Sequence, residues 1–100
     1  MEKKADGVIE AVRYKDGQIE EVRAFERRGA AFSDRVLIPR EKLLERMKDG
    51  KKFVIGQRKE FFAGTFETGK PVQVVSRGGQ EFIATRSDAE RDELEQAPVF

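Results

Sequence analysis

Residues 8–28 read as two runs of closely spaced apolar positions on either side of Asp16-Gly17. That dipeptide suits a two-residue type I′ hairpin loop, whose central residues both take positive φ. Folding the segment there sets Lys15 against Gln18, Arg13 against Glu20 and Glu10 against Arg23. Both charged pairs are then opposite in sign, and Ile9, Ala11, Val22 and Ala24 share one face. A second reading makes residues 18–28 a helix, with Ile19, Val22 and Phe25 at helical spacing and Gly29 closing its end. The agreement of charge and register favours the hairpin.

Residues 29–34 read as a loop, and residues 35–38 as extended chain, because a residue before proline avoids the helical region. Pro39 suits a first helical position, and Leu43, Leu44 and Met47 form an apolar stripe that ends at Gly50, a natural C-terminal cap. A helix over residues 39–49 follows. Beyond Lys51 the period returns to two. Residues 53–55, 61–66, 72–75 and 81–85 are expected as a four-strand meander, with turns at 56–60, Gly69-Lys70 and Gly78-Gly79. Phe61 beside Phe62, Val74 beside Val75 and Phe82 beside Ile83 put apolar side chains on both faces of these strands. Such a sheet must curl into a small barrel or be covered by a helix or a partner.

The expected fold class is therefore α+β: a mixed, mostly antiparallel sheet built from an N-terminal hairpin, one central helix and a four-strand meander. Residues 1–86 are expected to form the domain. Residues 87–100 hold five acids against one base, so this acidic C-terminal tail carries −4 and leaves +5 on residues 1–86 from a total of +1. Ser87-Asp88-Ala89-Glu90 has the form of a capping box for a short helix to residue 96, and residues 97–100 read as frayed.

Two stretches of the chain resemble known motifs in part. Residues 64–71 resemble the phosphate-binding Gly-x-x-x-x-Gly-Lys-Ser/Thr loop, but Pro71 stands where the magnesium-binding hydroxyl belongs and a strand follows instead of a helix. A hairpin turn at Gly69-Lys70 is the expected structure. Residues 36–55 resemble, in layout alone, the AbrB-type swapped-hairpin DNA binders. Gly50-Lys51 replaces their Gly-Asp and the helical apolar positions fall one residue out of step, so no family is assigned.

Composition narrows the function classes. The chain has no Cys, His or Trp, which removes disulfides, thiolate nucleophiles and imidazole chemistry together. No pair of carboxylates has a spacing that ties it to one site, Ser33, Ser76 and Ser87 have no His to activate them, and no calcium-loop pattern occurs. The expectation is a non-catalytic protein with no cofactor and no metal. No apolar run approaches the roughly 20 residues that cross a bilayer, and no secretory signal opens the sequence, so a cytoplasmic location is expected. Absent Asn and Cys beside a 39% charged fraction is the composition of heat-adapted proteins.

Two functional expectations result. The first is a small interaction module that associates with itself as a symmetric dimer, because one short helix cannot cover a sheet apolar on both faces. The second is nucleic-acid binding by basic loops at the sheet ends. In the four-strand meander Arg58, Lys59 and Arg77 gather at one end beside Phe61 and Phe62, while Lys51, Lys52, Lys70 and Arg86 collect at the other.

Overall fold

The computed structural model describes residues 5–28, 31–32, 35–58 and 66–100. In chain order these form β1 (Gly7–Lys15), β2 (Gln18–Arg28), β3 (Ala31–Phe32), β4 (Val36–Pro39), α1 (Arg40–Lys48), β5 (Phe53–Arg58), β6 (Phe66–Arg77) and β7 (Gln80–Ala84). The sheet runs β3-β2-β1-β5-β6-β7, with β4 also on β2, and does not close into a barrel. Its pairs are antiparallel except β1 with β5, so the class is α+β with a mixed, mostly antiparallel sheet.

The hairpin forms at Asp16-Gly17, both at positive φ (54° and 79°), and residues 18–28 are strand, not helix. The register holds at Lys15–Gln18 and then departs from simple alternation. Bulges leave Glu20 and Glu10 unmatched, so Arg13 faces Glu21 and Ala11 faces Arg23. An extra residue reverses the phase of the side chains that follow. Ile9, Val12, Ile19, Val22 and Ala24 consequently all enter one core, although Ile9 and Val12 are three residues apart. Arg13 still finds an acid, Glu21 at 3.1 Å, and Glu10 still meets Arg23 at 3.2 Å.

Helix α1 begins one residue later than expected, with extended Pro39 as its N-cap. At its other end Gly50 N–H donates to Met47 C=O and Lys51 N–H to Arg46 C=O, with Gly50 at φ 90°. That is the Schellman arrangement, which needs a residue tolerant of positive φ at this position. Leu43 is fully buried, and Leu44 and Met47 pack against the core from a half-buried position.

Three expectations fail here. Gly69-Lys70 is not a turn, because β6 runs unbroken through it for twelve residues. The reason lies in the pairing: residues 66–72 of β6 bond to β5 and residues 73–77 to β7. Pro71, which has no N–H, sits opposite Val54 just before the ladder passes from one side to the other, so its second side has no strand to serve. Residues 31–32, expected in a loop, add a short strand to the end of β2. Residues 87–100 form no helix, and their backbone bonds instead to β7 and β1. The expected strand over residues 61–66 lies outside the described residues except for Phe66.

The C-terminal segment is instead a strap over two open strand edges. Glu93 N–H donates to Ile83 C=O and Thr85 N–H to Glu93 C=O, which places residue 93 along the free edge of β7. The chain then turns at Gln96, a non-glycine residue at φ 70°. Val12 N–H donates to Pro98 C=O and Phe100 N–H to Val12 C=O, so residues 98–100 lie on the stretch of β1 beyond Ile9–Ile55, where β5 has parted from it. Ala89 and Leu94 are buried, Leu94 N–H donates to the Tyr14 hydroxyl, and Phe100 lies under the Arg13 and Arg23 guanidinium groups.

Candidate functional site

Arg58 and Arg77, expected at one end of the sheet, lie at opposite ends of β6. Arg58 pairs with Phe66 at the start of β6, whereas Arg77 ends the same strand and pairs with Gln80. Eleven residues of strand separate these ends by up to about 36 Å. Lys59 lies outside the described residues. In the second basic group Lys70 and Arg86 do come together, on the shared carboxylate of Glu95, and Arg86 also pairs with Asp88 and Glu93, so both cations are matched by acids of the strap. Only Lys51 and Lys52 of that group have no ion pair among the described residues.

Four hydrogen bonds converge on Asp92, whose side chain is 0% exposed. One oxygen, Oδ2, accepts from Ile19 N–H at 2.8 Å and Arg40 Nε at 2.7 Å, and Oδ1 accepts from Ile83 N–H at 3.0 Å and Arg40 Nη2 at 3.2 Å. Ile19 belongs to the part of β2 that β4, paired at residues 21–24, leaves open, and Ile83 faces the free edge of β7. One carboxylate thus joins the two edges that barrel closure would have laddered together. Arg40 also donates to Glu81 C=O at 2.7 Å. The hydrogen bond to Asp92, with the charges of Asp92 and Glu81, holds the Arg40 guanidinium above its ordinary pKa against the opposing effect of burial. With four donors on its two oxygens and its side chain buried, Asp92 is a structural clamp. In the sequence it was one acid among five, and only the contact between distant segments sets it apart.

Among the described residues two features remain open to a partner. The first is β4, a four-residue edge strand paired to β2 alone, on which Leu37 is 56% exposed. The second is a groove of about 710 Å3 between the end of α1 and the β5–β6 pair. It exists because nine helical residues extend only about 13.5 Å, against about 40 Å for the twelve of β6. Met47 forms one wall, Phe53, Val72 and Val74 line the floor, and Lys51 and Lys52 stand at the rim. Among the described residues no group of three or more acids is placed to hold a metal ion, and no helix is long and apolar enough to cross a membrane. No family model matches the chain, and neither the curated proteins nor the solved structures contain a match to it.

Proposed function

We propose that this protein is a small, non-catalytic interaction module of the cytoplasm that pairs with a second copy of itself. The observation that carries this reading is Leu37, more than half exposed on the edge strand β4. A large apolar side chain beside unpaired backbone groups is what strand-to-strand association uses, and a two-fold axis through β4 would bury each Leu37 against its counterpart. The surface differs from the broad patch that the sequence implies. Among the described residues Leu37 and Val99 are the only large apolar side chains left exposed, so the contact is a narrow one.

Sedimentation velocity at micromolar concentration tests the proposal. A dimer is expected, and Leu37→Lys is expected to return it to monomer. A monomer at every concentration, or a dimer indifferent to Leu37→Lys, refutes it. The alternative reading, nucleic-acid binding, retains Arg77, which is exposed and has no ion pair among the described residues. Fluorescence anisotropy with labelled single-stranded and duplex oligonucleotides at low salt decides it. Absence of binding below about 100 µM, weaker than much non-specific association, removes this reading. Heat resistance belongs to the same proposal. The Arg86 network with three acids and the Glu10 pairs with Arg23 and Arg35 are the kind of charge networks that favour it. A calorimetric midpoint above the roughly 45–65 °C typical of mesophile domains is expected.

A further inference from the structure

The cations of this chain are unequally occupied. Arg13, Arg23, Arg35, Arg40, Arg46 and Arg86 are each within 4 Å of a carboxylate, and Lys42, Lys48 and Lys70 are likewise paired. Among the described residues with side chains, Lys15, Lys51, Lys52 and Arg77 have no such partner. Lys15 flanks the hairpin loop and Arg77 the Gly78-Gly79 turn, where charged ends are simply solvated. Lys51 and Lys52 differ, because both border the apolar groove beside α1. Asp6 lies nearby and accepts Lys52 N–H at 2.8 Å, so it engages the backbone there.

The floor of the groove is continuous with the core. Phe53 and Val72 pair across β5 and β6 and are nearly buried, and Val74 and Met47 are half-buried at the edge of the region α1 reaches. Gly7 permits this arrangement, because a Cβ there would overlap the Phe53 ring. A groove of this volume, its lining part apolar and part polar, is in the range of small-molecule sites, which combine an apolar lining with a few polar groups that fix orientation. Two consecutive lysines bordering it, without an ion pair among the described residues, supply part of that polar element and give it a sign.

We propose that the groove between α1, β5 and β6 binds a small amphipathic anion, its apolar body on Phe53, Val72 and Val74 and its acidic group at Lys51 and Lys52. The site includes no residue of β4, so it stands apart from the proposed dimer contact. A medium-chain or aromatic carboxylate has this chemistry; an uncharged apolar molecule has half of it.

The test uses the intact protein, with 8-anilinonaphthalene-1-sulfonate as the anionic probe and N-phenyl-1-naphthylamine as its neutral counterpart. The sulfonate is expected to bind saturably with Kd below about 200 µM, weak but specific on the affinity scale. The double variant Lys51→Gln/Lys52→Gln, both at exposed positions, should weaken the sulfonate about fivefold, the equivalent of two exposed charge pairs. It should leave the neutral probe within a factor of about two, and added salt should remove the difference. Val74→Asp should weaken both probes by placing a charge in the floor, and decanoate should displace the sulfonate. Three results would overturn the proposal: no saturable binding, an equal loss of both probes in the lysine variant, or no effect of Val74→Asp in a protein that circular dichroism shows to be folded.

Discussion

Removing the Asp92 carboxylate should cost more stability than any other single change in the strap. Asp92→Ala leaves two backbone donors, Ile19 N–H and Ile83 N–H, and the Arg40 guanidinium without their acceptor. Breaking a buried ion pair from one side costs about 3–5 kcal/mol, because the remaining charge is stranded. Arg40 is 22% exposed and keeps its bond to Glu81 C=O, so part of its charge can be resolvated. That moves the estimate to the lower half of the range. Each orphaned N–H would add about 1–3 kcal/mol if left dry, a cost that water taking the space of the lost side chain removes. About 3–4 kcal/mol is expected overall, against a total of about 5–15 kcal/mol for a domain. Asp92→Asn is nearly isosteric but is not conservative, since either orientation of the amide points an NH2 at two donors; about 2–4 kcal/mol is expected. Urea denaturation followed by circular dichroism measures both, with Glu95→Ala as control. Its partners Lys70 and Arg86 are both about half exposed, and the loss should stay within about 1 kcal/mol. Hydrogen exchange should accelerate at the Ile19 and Ile83 amides in both Asp92 variants. A shift below about 1 kcal/mol for Asp92→Ala, or unchanged exchange at the two amides, would show that the clamp does not hold the edges.

Other substitutions test the core and the turns. Gly7→Ala should destabilise by about 1–3 kcal/mol through overpacking against Phe53, and Phe53→Leu in that background should recover part of the loss, as thermal melts would show. Leu43→Ala should cost about 2–5 kcal/mol in chemical denaturation, Leu44→Ala and Met47→Ala less because they are only half-buried, and Lys42→Ala almost nothing; equal shifts would mean the helix faces the core differently. Gln96→Gly should stabilise or leave the midpoint unchanged, because φ 70° is an uncommon conformation for a side-chain-bearing residue; a loss above about 1 kcal/mol would contradict the turn.

The elements legible in the sequence are those specified by their own residues. Asp16-Gly17 and Gly78-Gly79 adopt positive φ as hairpin loops require, and Gly50 closes α1 through hydrogen bonds reaching only five residues back. The misread features depend on distant partners. Nothing local to Glu10 or Glu20 announces a bulge, and the opposite charges at Arg13–Glu20 made the unbulged register look satisfied. Gly69-Lys70-Pro71 has turn composition, but β5 on one side and β7 further along hold it straight. The expected neighbourhood of Arg58 and Arg77 was misread for the same reason. Arg58 and Arg77 were neighbours only if residues 56–79 folded as successive short strands, and β6 sends them to opposite ends. The role of Asp92 required contacts with Ile19, Arg40 and Ile83, which are 73, 52 and 9 residues away.

Covering two edges with one strap also governs what a shortened chain becomes. Cut after Arg86, the protein loses the cover on β7 and on the far half of β1 together, and these two edges are different surfaces of the same molecule. A contact between unlike surfaces does not close on itself as a two-fold contact does, so it can repeat from copy to copy without limit. The truncated chain should therefore grow into filaments rather than remain a destabilised monomer, with strand edges docking head to tail. Light scattering and thioflavin fluorescence that rise with concentration for this truncation, but not for Asp92→Asn at equal stability, would identify the strap as the feature that keeps the fold from polymerising.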